Sequence, residues 1–391
     1  MTSRFSDLKA PVLAGTVASI TGQAASTGVV IAATTALGAT PSQIVSVVFV
    51  MLLLYGALSI ILSWRFKMPI SIVWSTPGAA LLVSAGGLNF GYQTAVGAFM
   101  FSAVMIAITG LWPALGRLVG SIPKPIASAM LAGVIFSFCI APFKAAGTFP
   151  WILLPVIAVW LVLYKFAQVW AVPVAMVLLF GLTAIAQHIS VPISAILPSV
   201  EFITPQFSIP AIISIGIPLY LVTMASQNIP GIAIMKSFGY EIPFRPIMLA
   251  TGISSIVANF FGGFVFNMAA ITAALNANEH AHKDPRRRWI ASVAGGVVYL
   301  IMAVGTGALI TFVLQAPKEI ILAGAGLALV GTMVGALVSI VEETSLRVPA
   351  VLAFLVASSG FAAFSIGSAF WALLLGVAVW LWLNARADRA A

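Results

Sequence analysis

The sequence predicts an all-α polytopic membrane protein with fourteen transmembrane segments arranged as a 7+7 inverted repeat. Three observations carry that prediction. Of 391 residues, 61% are hydrophobic and only 7% are charged, whereas a soluble domain is about 45–50% apolar and about 25% charged. Apolar stretches long enough to cross about 30 Å of hydrocarbon recur from end to end. Two short segments, at matching places in the two halves, interrupt the helical pattern in the same way.

The elements follow in order. Met1–Lys9 is polar and carries no signal-peptide pattern, so the first apolar run reads as a true span. Candidate segments lie near 11–36, 43–63, 71–85, 94–116, 125–141, 150–165, 170–187, 208–229, 246–261, 267–277, 288–314, 319–341, 348–362 and 366–384. The third and tenth are too short to cross alone, and each follows an extended stretch marked by Gly or Pro. With the N-terminus placed in the cytoplasm and sides alternating, all 18 Lys and Arg except Lys144 and Lys318 fall inside, from Arg4 and Lys9 to Arg347, Arg386 and Arg389. That asymmetry is what the positive-inside rule demands. Both termini are therefore expected in the cytoplasm of a multi-pass protein of the cell (inner) membrane. The longest external connection is about 188–207, with His188 and Glu201. The strongest internal cluster is Asn278–Arg288. Residues 1–391 form one transmembrane unit, with repeats of about 11–187 and 208–384.

Composition also excludes function classes. The net charge of +9 sits in short loops between apolar runs rather than on a folded polar face, so nucleic acid is not an expected partner. The single cysteine, Cys139, cannot form an internal disulfide or a multi-cysteine metal site. Glu279, His280, His282 and Asp284 match no metal-site spacing and adjoin Lys283 and three arginines; they read as a solvated loop, and no metal or cofactor is expected. No Walker motif is present, and Gly324-x-Gly326 follows no soluble strand. Gly331-x-x-x-Gly335 permits close helix packing. Catalysis inside the membrane would need a nucleophile or metal set, which the spans lack.

The short segments carry the chemistry. The third reads Ser71-Ile-Val-Trp-Ser-Thr-Pro-Gly-Ala-Ala-Leu-Leu82 and the tenth Gly263-Phe-Val-Phe-Asn-Met-Ala-Ala-Ile-Thr-Ala-Ala-Leu275. Ser75 or Thr76 is a candidate N-cap with Pro77 at the first helical position, and Asn267 is a candidate N-cap of the second half-helix. Helix N-termini present unpaired N–H groups and a partial positive charge. Two of them facing each other near the midplane would cradle an anion without a buried arginine. The extended backbone before them is tolerable only when buried in protein or lining a cavity. Gln227 and Asn228 lie deep in the eighth segment, with Pro230 and Gly231 behind them, to bind substrate or brace a helix break. The first segment carries Ser19, Thr21, Gln23, Ser26 and Thr27. The candidate substrate-binding set is thus Gln23, Ser75, Thr76, Gln227, Asn228, Asn267 and Met268. Trp74, Phe264 and Phe266 are candidates for an aromatic wall. Glu342 and Glu343, near Arg347, are either a local ion pair at a span end or the proton-coupling carboxylates. No Asp or Glu falls in the middle of an expected span.

At these residues the chain resembles the benzoate–proton symporter (BenE-type) family, and the resemblance runs over essentially its whole length. The matching stretches are Trp74-Ser-Thr-Pro-Gly-Ala-Ala-Leu-Leu82, Ala225-Ser-Gln-Asn-Ile-Pro-Gly231, and Asn267-Met-Ala-Ala-Ile-Thr-Ala-Ala-Leu275 with Ala281-His-Lys-Asp-Pro-Arg-Arg-Arg-Trp289. The resemblance implies the 7+7 fold shared with uracil/xanthine permeases and sulfate-type anion transporters. It implies a core domain (about 11–116 and 208–314) that moves, elevator-like, against a gate domain (about 125–187 and 319–384). It implies benzoate or a similar aromatic carboxylate as substrate, imported with a proton. The related nucleobase permeases carry acidic residues on segments eight and ten at the substrate. This chain has Gln227, Asn228 and Asn267 around those positions, so their proton mechanism does not carry over. The proton is expected on or beside the substrate carboxylate, or on Glu342 or Glu343. Relatives of this fold are often dimers, and a homodimer is expected by analogy. The competing readings are a passive anion channel, or a symporter of another small organic anion or a nucleobase-like substrate. A channel would show a continuous polar stripe, whereas here the polar residues gather at the broken helices.

Overall fold

The two short extended stretches, nearly two hundred residues apart in sequence, lie side by side. In the computed structural model, which describes residues 2–192, 197–364 and 366–387, they form an antiparallel two-stranded sheet inside a bundle of helices. Helices α1 (Thr2–Ala36) and α2 (Pro41–Phe66) lead into strand β1 (Ile72–Trp74) and helix α3 (Thr76–Ala85). Helices α4 (Tyr92–Leu111), α5 (Pro113–Gly120), α6 (Lys124–Thr148), α7 (Pro150–Phe166) and α8 (Gln168–Ala186) complete the first half. The second half holds α9 (Ile209–Ser237), α10 (Phe244–Asn259), strand β2 (Phe266–Met268) and α11 (Ala270–Ala277). It continues with α12 (Trp289–Val304), α13 (Thr306–Gln315), α14 (Lys318–Glu342), α15 (Arg347–Ser359) and α16 (Ser368–Ala387). Residues 193–196 of the external connection, and Arg389, lie outside the described residues.

Among the described residues, eight helices are long and apolar enough to cross a bilayer, and five shorter apolar helices accompany them. Trp151, Phe166, Val177 and Ile185 stand exposed on the flank of the bundle, where lipid is the only solvent that suits them. Local chemistry sets several boundaries. Thr40 and Gln43 form a capping box at the start of α2, with Pro41 as the first helical residue. The Glu201 carboxylate accepts hydrogen bonds from the Gln43 amide (3.0 Å) and the Ser42 hydroxyl, placing negative charge at that positive helix end.

Three expected segments are built differently from their sequence reading. The fourth divides into α4 and α5, because Pro113 disfavours helix at Trp112, whose backbone is non-helical there. The eleventh divides at Gly305 into α12 and α13. The eighth does not break at Pro230. Helix α9 continues to Ser237 through two wide π-helical turns, at 212–216 and 224–228. A wide turn just before a proline absorbs the ring and the missing N–H that would otherwise kink the helix.

The strand register is Ile72 opposite Met268, Val73 opposite Asn267 and Trp74 opposite Phe266. Ser75 N–H to Val265 O (3.1 Å) and Ala269 N–H to Ser71 O (2.9 Å) extend the ladder at both ends. Side chains satisfy the outer edges. On the β1 side, Ser59 accepts from Ile72 N–H (2.9 Å) and donates to Ile72 O (3.1 Å), while Ser63 donates to Ile70 O (2.7 Å). On the β2 side, Ser255 accepts from Phe266 N–H (2.8 Å) and Asn228 Oδ1 from Met268 N–H (3.0 Å). Gly231 on α9 lets β2 approach, since a side chain there would meet Met268 Cβ at 3.1 Å.

The helices around this sheet pack in matched pairs across the two halves: α2 lies on α12 as α10 lies on α4, α1 lies on α3 as α9 lies on α11, and α6 lies along α14. The centre of the core is Tyr55, wholly buried, with three rings edge-to-face around it: Tyr299 at 4.8 Å, Trp74 at 5.6 Å and Phe266 at 5.9 Å between centroids.

Replacing Ser255 with Ala strands the buried Phe266 N–H without an acceptor, a cost of about 1–3 kcal/mol. Thermal unfolding of the purified protein is expected to show a lower midpoint for Ser255→Ala than for Ser84→Ala, whose hydroxyl bonds only within its own helix turn.

Candidate functional site

A cavity of about 210 Å³ opens where the two half-helices begin. A cavity of about 150 Å³ lined by apolar side chains already admits benzene, so a single aromatic ring fits here. Its walls come from α1 (Thr21, Gly22, Gln23, Ser26), from β1 and α3 (Val73, Trp74, Thr76, Pro77), from α9 (Gln227), from α11 (Ala269, Thr272) and from α12 (Tyr299). The opposite side is formed by Val172 of α8 and by Ala328, Leu329 and Thr332 of α14. A second cavity of about 200 Å³, almost wholly apolar, lies between α1, α8, α13 and α14 and shares Gln23 with the first.

Of the residues singled out in the sequence, Gln23, Trp74, Thr76 and Gln227 line the first cavity. Gln23 is held by Tyr55, whose hydroxyl donates to its Oε1 (2.7 Å), and its Nε2 donates to Thr27 Oγ1 (3.0 Å). The amide orientation is thus fixed, leaving its second N–H available. Trp74 donates from Nε1 to Ser26 Oγ (2.9 Å), which locks the indole at the wall.

Ser75 and Asn228 are buried and occupied by the scaffold. Ser75 is the N-cap of α3, accepting from Gly78 N–H (3.2 Å), and it also accepts from the Thr223 hydroxyl (2.9 Å), tying α3 to α9. Asn228 braces β2 through Met268 N–H, and its Nδ2 faces Met224 Sδ at 3.3 Å. Phe264, Phe266 and Met268 are wholly buried among core side chains and do not line the cavity. Phe264 packs on Phe99 and Phe266 on Tyr55.

Asn267 is not the cap of the second half-helix. It stays in the ladder opposite Val73, and its Nδ2 donates to Met268 O (2.9 Å). Ala269 holds the cap position of α11 as Ser75 does for α3; each has its N–H bonded across the ladder, but alanine brings no side-chain acceptor. The two half-helix ends are therefore unlike. The α3 end is closed by Ser75, whereas the α11 end meets the cavity uncapped through Ala269 and Thr272.

Glu342 and Glu343 are exposed at the far end of α14, and Glu343 accepts from the Ser345 hydroxyl (3.0 Å). Thr332, the last α14 residue on the wall, lies ten positions earlier, or about 15 Å along the helix. Among the described residues the wall contains no Asp, Glu, His, Lys or Arg. Arg288, buried at the end of the 278–288 loop, spends its guanidinium on the carbonyls of Ala277 (2.6 Å) and His282 (2.7 Å), closing the C-terminal end of α11. Tyr299 and Thr272 are wall residues that the sequence reading missed. A lone tyrosine in an apolar helix gives no local signal of a site.

Comparisons with known proteins agree with this architecture. A family model described as "Benzoate membrane transport protein" (BenE) matches residues 6–381. The chain is 36% identical over 381 residues to the inner membrane protein YdcO of Escherichia coli (strain K12), covering 97% of each. It is 33% identical over 322 residues to the benzoate membrane transport protein of Acinetobacter baylyi, covering 81% of each. Among solved structures it resembles the transmembrane domain of the cyanobacterial bicarbonate transporter BicA, with TM-score 0.57, 14% identity and 97% of each chain covered. It also resembles SLC26A9, with TM-score 0.60 and 14% identity over 95% of this chain; it spans 65% of that protein's length. At such identity these likenesses show the fold alone. The chain is a multi-pass membrane protein, and it belongs to the BenE family of benzoate membrane transport proteins.

Proposed function

We propose that this protein is a secondary active transporter that imports benzoate, or a closely similar aromatic carboxylate, together with a proton. The observation that carries the reading is the position of the cavity. It lies at the paired strands, walled on one side by α1, β1, α3, α9, α11 and α12 and on the other by α8 and α14. In this reading the first group belongs to a core domain (about 11–116 and 208–314), and the second to a gate domain (about 125–187 and 319–384). The core carries the substrate past the gate by alternating access. The matched packing of α2 on α12 and of α10 on α4 supports the 7+7 inverted repeat, as paired broken segments do in other transporters. The Lys and Arg distribution supports cytoplasmic termini.

The wall suits a flat ring with one polar end. Trp74, Val73, Val172 and Leu329 offer apolar surface, while Gln23, Thr76 and Gln227 offer hydrogen bonds. The uncapped start of α11 carries a partial positive charge that draws the carboxylate. The family name and the benzoate transport protein of A. baylyi point to the same ligand class.

Uptake of labelled benzoate into proteoliposomes tests the reading. An inward proton gradient is expected to accelerate the protein-dependent, saturable component; a gradient without effect would exclude proton coupling. Neighbouring amides separate binding from scaffold. Gln227→Ala is expected to reduce uptake by up to roughly tenfold, the worth of one hydrogen bond, with an unchanged melting midpoint. Asn228→Ala strands Met268 N–H and is expected to lower the midpoint, at a cost of about 1–3 kcal/mol. Normal uptake by Gln227→Ala would remove that residue from the site.

A further inference from the structure

The cavity meets hydroxyl groups that the protein itself does not use. Tyr299 lines it, is 2% exposed, and its hydroxyl has no hydrogen-bond partner. Thr272, also on the wall, has its hydroxyl near the same point of α1; Ser19 Oγ is likewise unpartnered but does not line the cavity. Gly22 keeps the space open: a side chain there would sit 3.4 Å from Thr272 Oγ1 and 4.0 Å from the Tyr299 hydroxyl. The Tyr299 ring cannot swing away, because it stands edge-to-face on Tyr55 at 4.8 Å and 88°, and Tyr55 is itself bonded to Gln23. Buried hydroxyls are normally hydrogen-bonded. One that is rigidly held at a cavity without a partner is a group waiting for a ligand.

We propose that the hydroxyls of Tyr299 and Thr272 form the carboxyl subsite of this cavity, and that the subsite takes the substrate's carboxyl group as the neutral acid. The proposal rests on the reading that the substrate is an aromatic carboxylate. Electrostatics selects the neutral form. Element by element, the wall residues of α1, β1, α3, α8, α9, α11 and α14 include no titratable group among the described residues; α12 contributes Tyr299, and Tyr55 of α2 stands behind Gln23. The uncapped α11 end supplies roughly half an elementary charge. That leaves a bare carboxylate under-neutralised in an apolar site, where such groups protonate instead. Hydrogen bonding accommodates that form: a carboxylic acid donates once and accepts, and hydroxyls do both.

The balance is simple. On the entry side one carboxylate and one proton from water combine, the proton bonding to a carboxylate oxygen. On the exit side they separate again. No residue changes its protonation state, so Glu342 and Glu343 are not required.

Isothermal titration of the purified full-length protein with benzoate tests this. It is run at about pH 7, where a free carboxyl is ionised, in buffers of different ionisation enthalpy. Uptake of one proton per benzoate bound is expected, and it is expected to persist when Glu342→Gln and Glu343→Gln are combined. Tyr299→Phe keeps the ring on Tyr55 and removes an oxygen that bonds nothing in the protein, so the melting midpoint should hold while affinity falls roughly tenfold. Thr272→Ala is the second variant, with the same expected direction. Binding without proton uptake, proton uptake lost in the double glutamate variant, or unchanged affinity in both hydroxyl variants would overturn the proposal. Failure of the wild-type protein to bind any benzoate would overturn the proposed function, and this subsite with it.

Discussion

The structure depends on one constraint: extended backbone inside a membrane must find every hydrogen bond within the protein. Among the described residues the chain runs as buried strand at 72–74 and 266–268, and pairs these two stretches with each other. Pairing satisfies the inner edges. Ser59 and Ser63 from α2, Ser255 from α10 and Asn228 from α9 satisfy groups on the outer ones. Because the supporting side chains come from both halves, the halves are locked together at the point where each is weakest. The half-helices that follow then start side by side, and their starts define the cavity.

From that arrangement the chemistry of the cavity follows. At the α3 end Ser75 is consumed, closing its own helix and tying α9, while Thr76 stays on the cavity wall. The α11 end stays open because alanine, Ala269, stands at the cap position that serine fills on α3. Polarity at the site therefore comes from neutral amides and hydroxyls and from one helix end. Tyr55 organises it from behind, orienting Gln23 by a hydrogen bond and holding Trp74 and Tyr299 by ring contacts.

How much of this was legible in the sequence depended on how local each signal was. The membrane class, the two broken segments and the Ser75 cap are local, and each was readable from composition or from a few adjacent residues. Whether Asn267 caps a helix or prolongs a strand is decided by its pairing with Val73, far away in sequence, so a good local cap residue misled. Gln227 and Asn228 are adjacent amides with opposite fates, one on the cavity and one bracing β2, because successive residues of a helix face different neighbours. Phe264 and Phe266 look as suitable for an aromatic wall as Trp74 does, yet the packing of Phe99 and Tyr55 takes them into the core. Tyr299 has no local signal because its place is set by the packing of α12 on α1 and α11, which brings its hydroxyl near Gly22 and Thr272.

The central claim is that the cavity at the paired strands is where an aromatic acid binds. A structure of the protein with benzoate tests it most directly. The account predicts ligand density between Trp74, Gln227 and Tyr299, with the carboxyl group toward the start of α11. Density in the apolar cavity between α1, α8, α13 and α14 instead, with the paired-strand cavity unchanged, would contradict it.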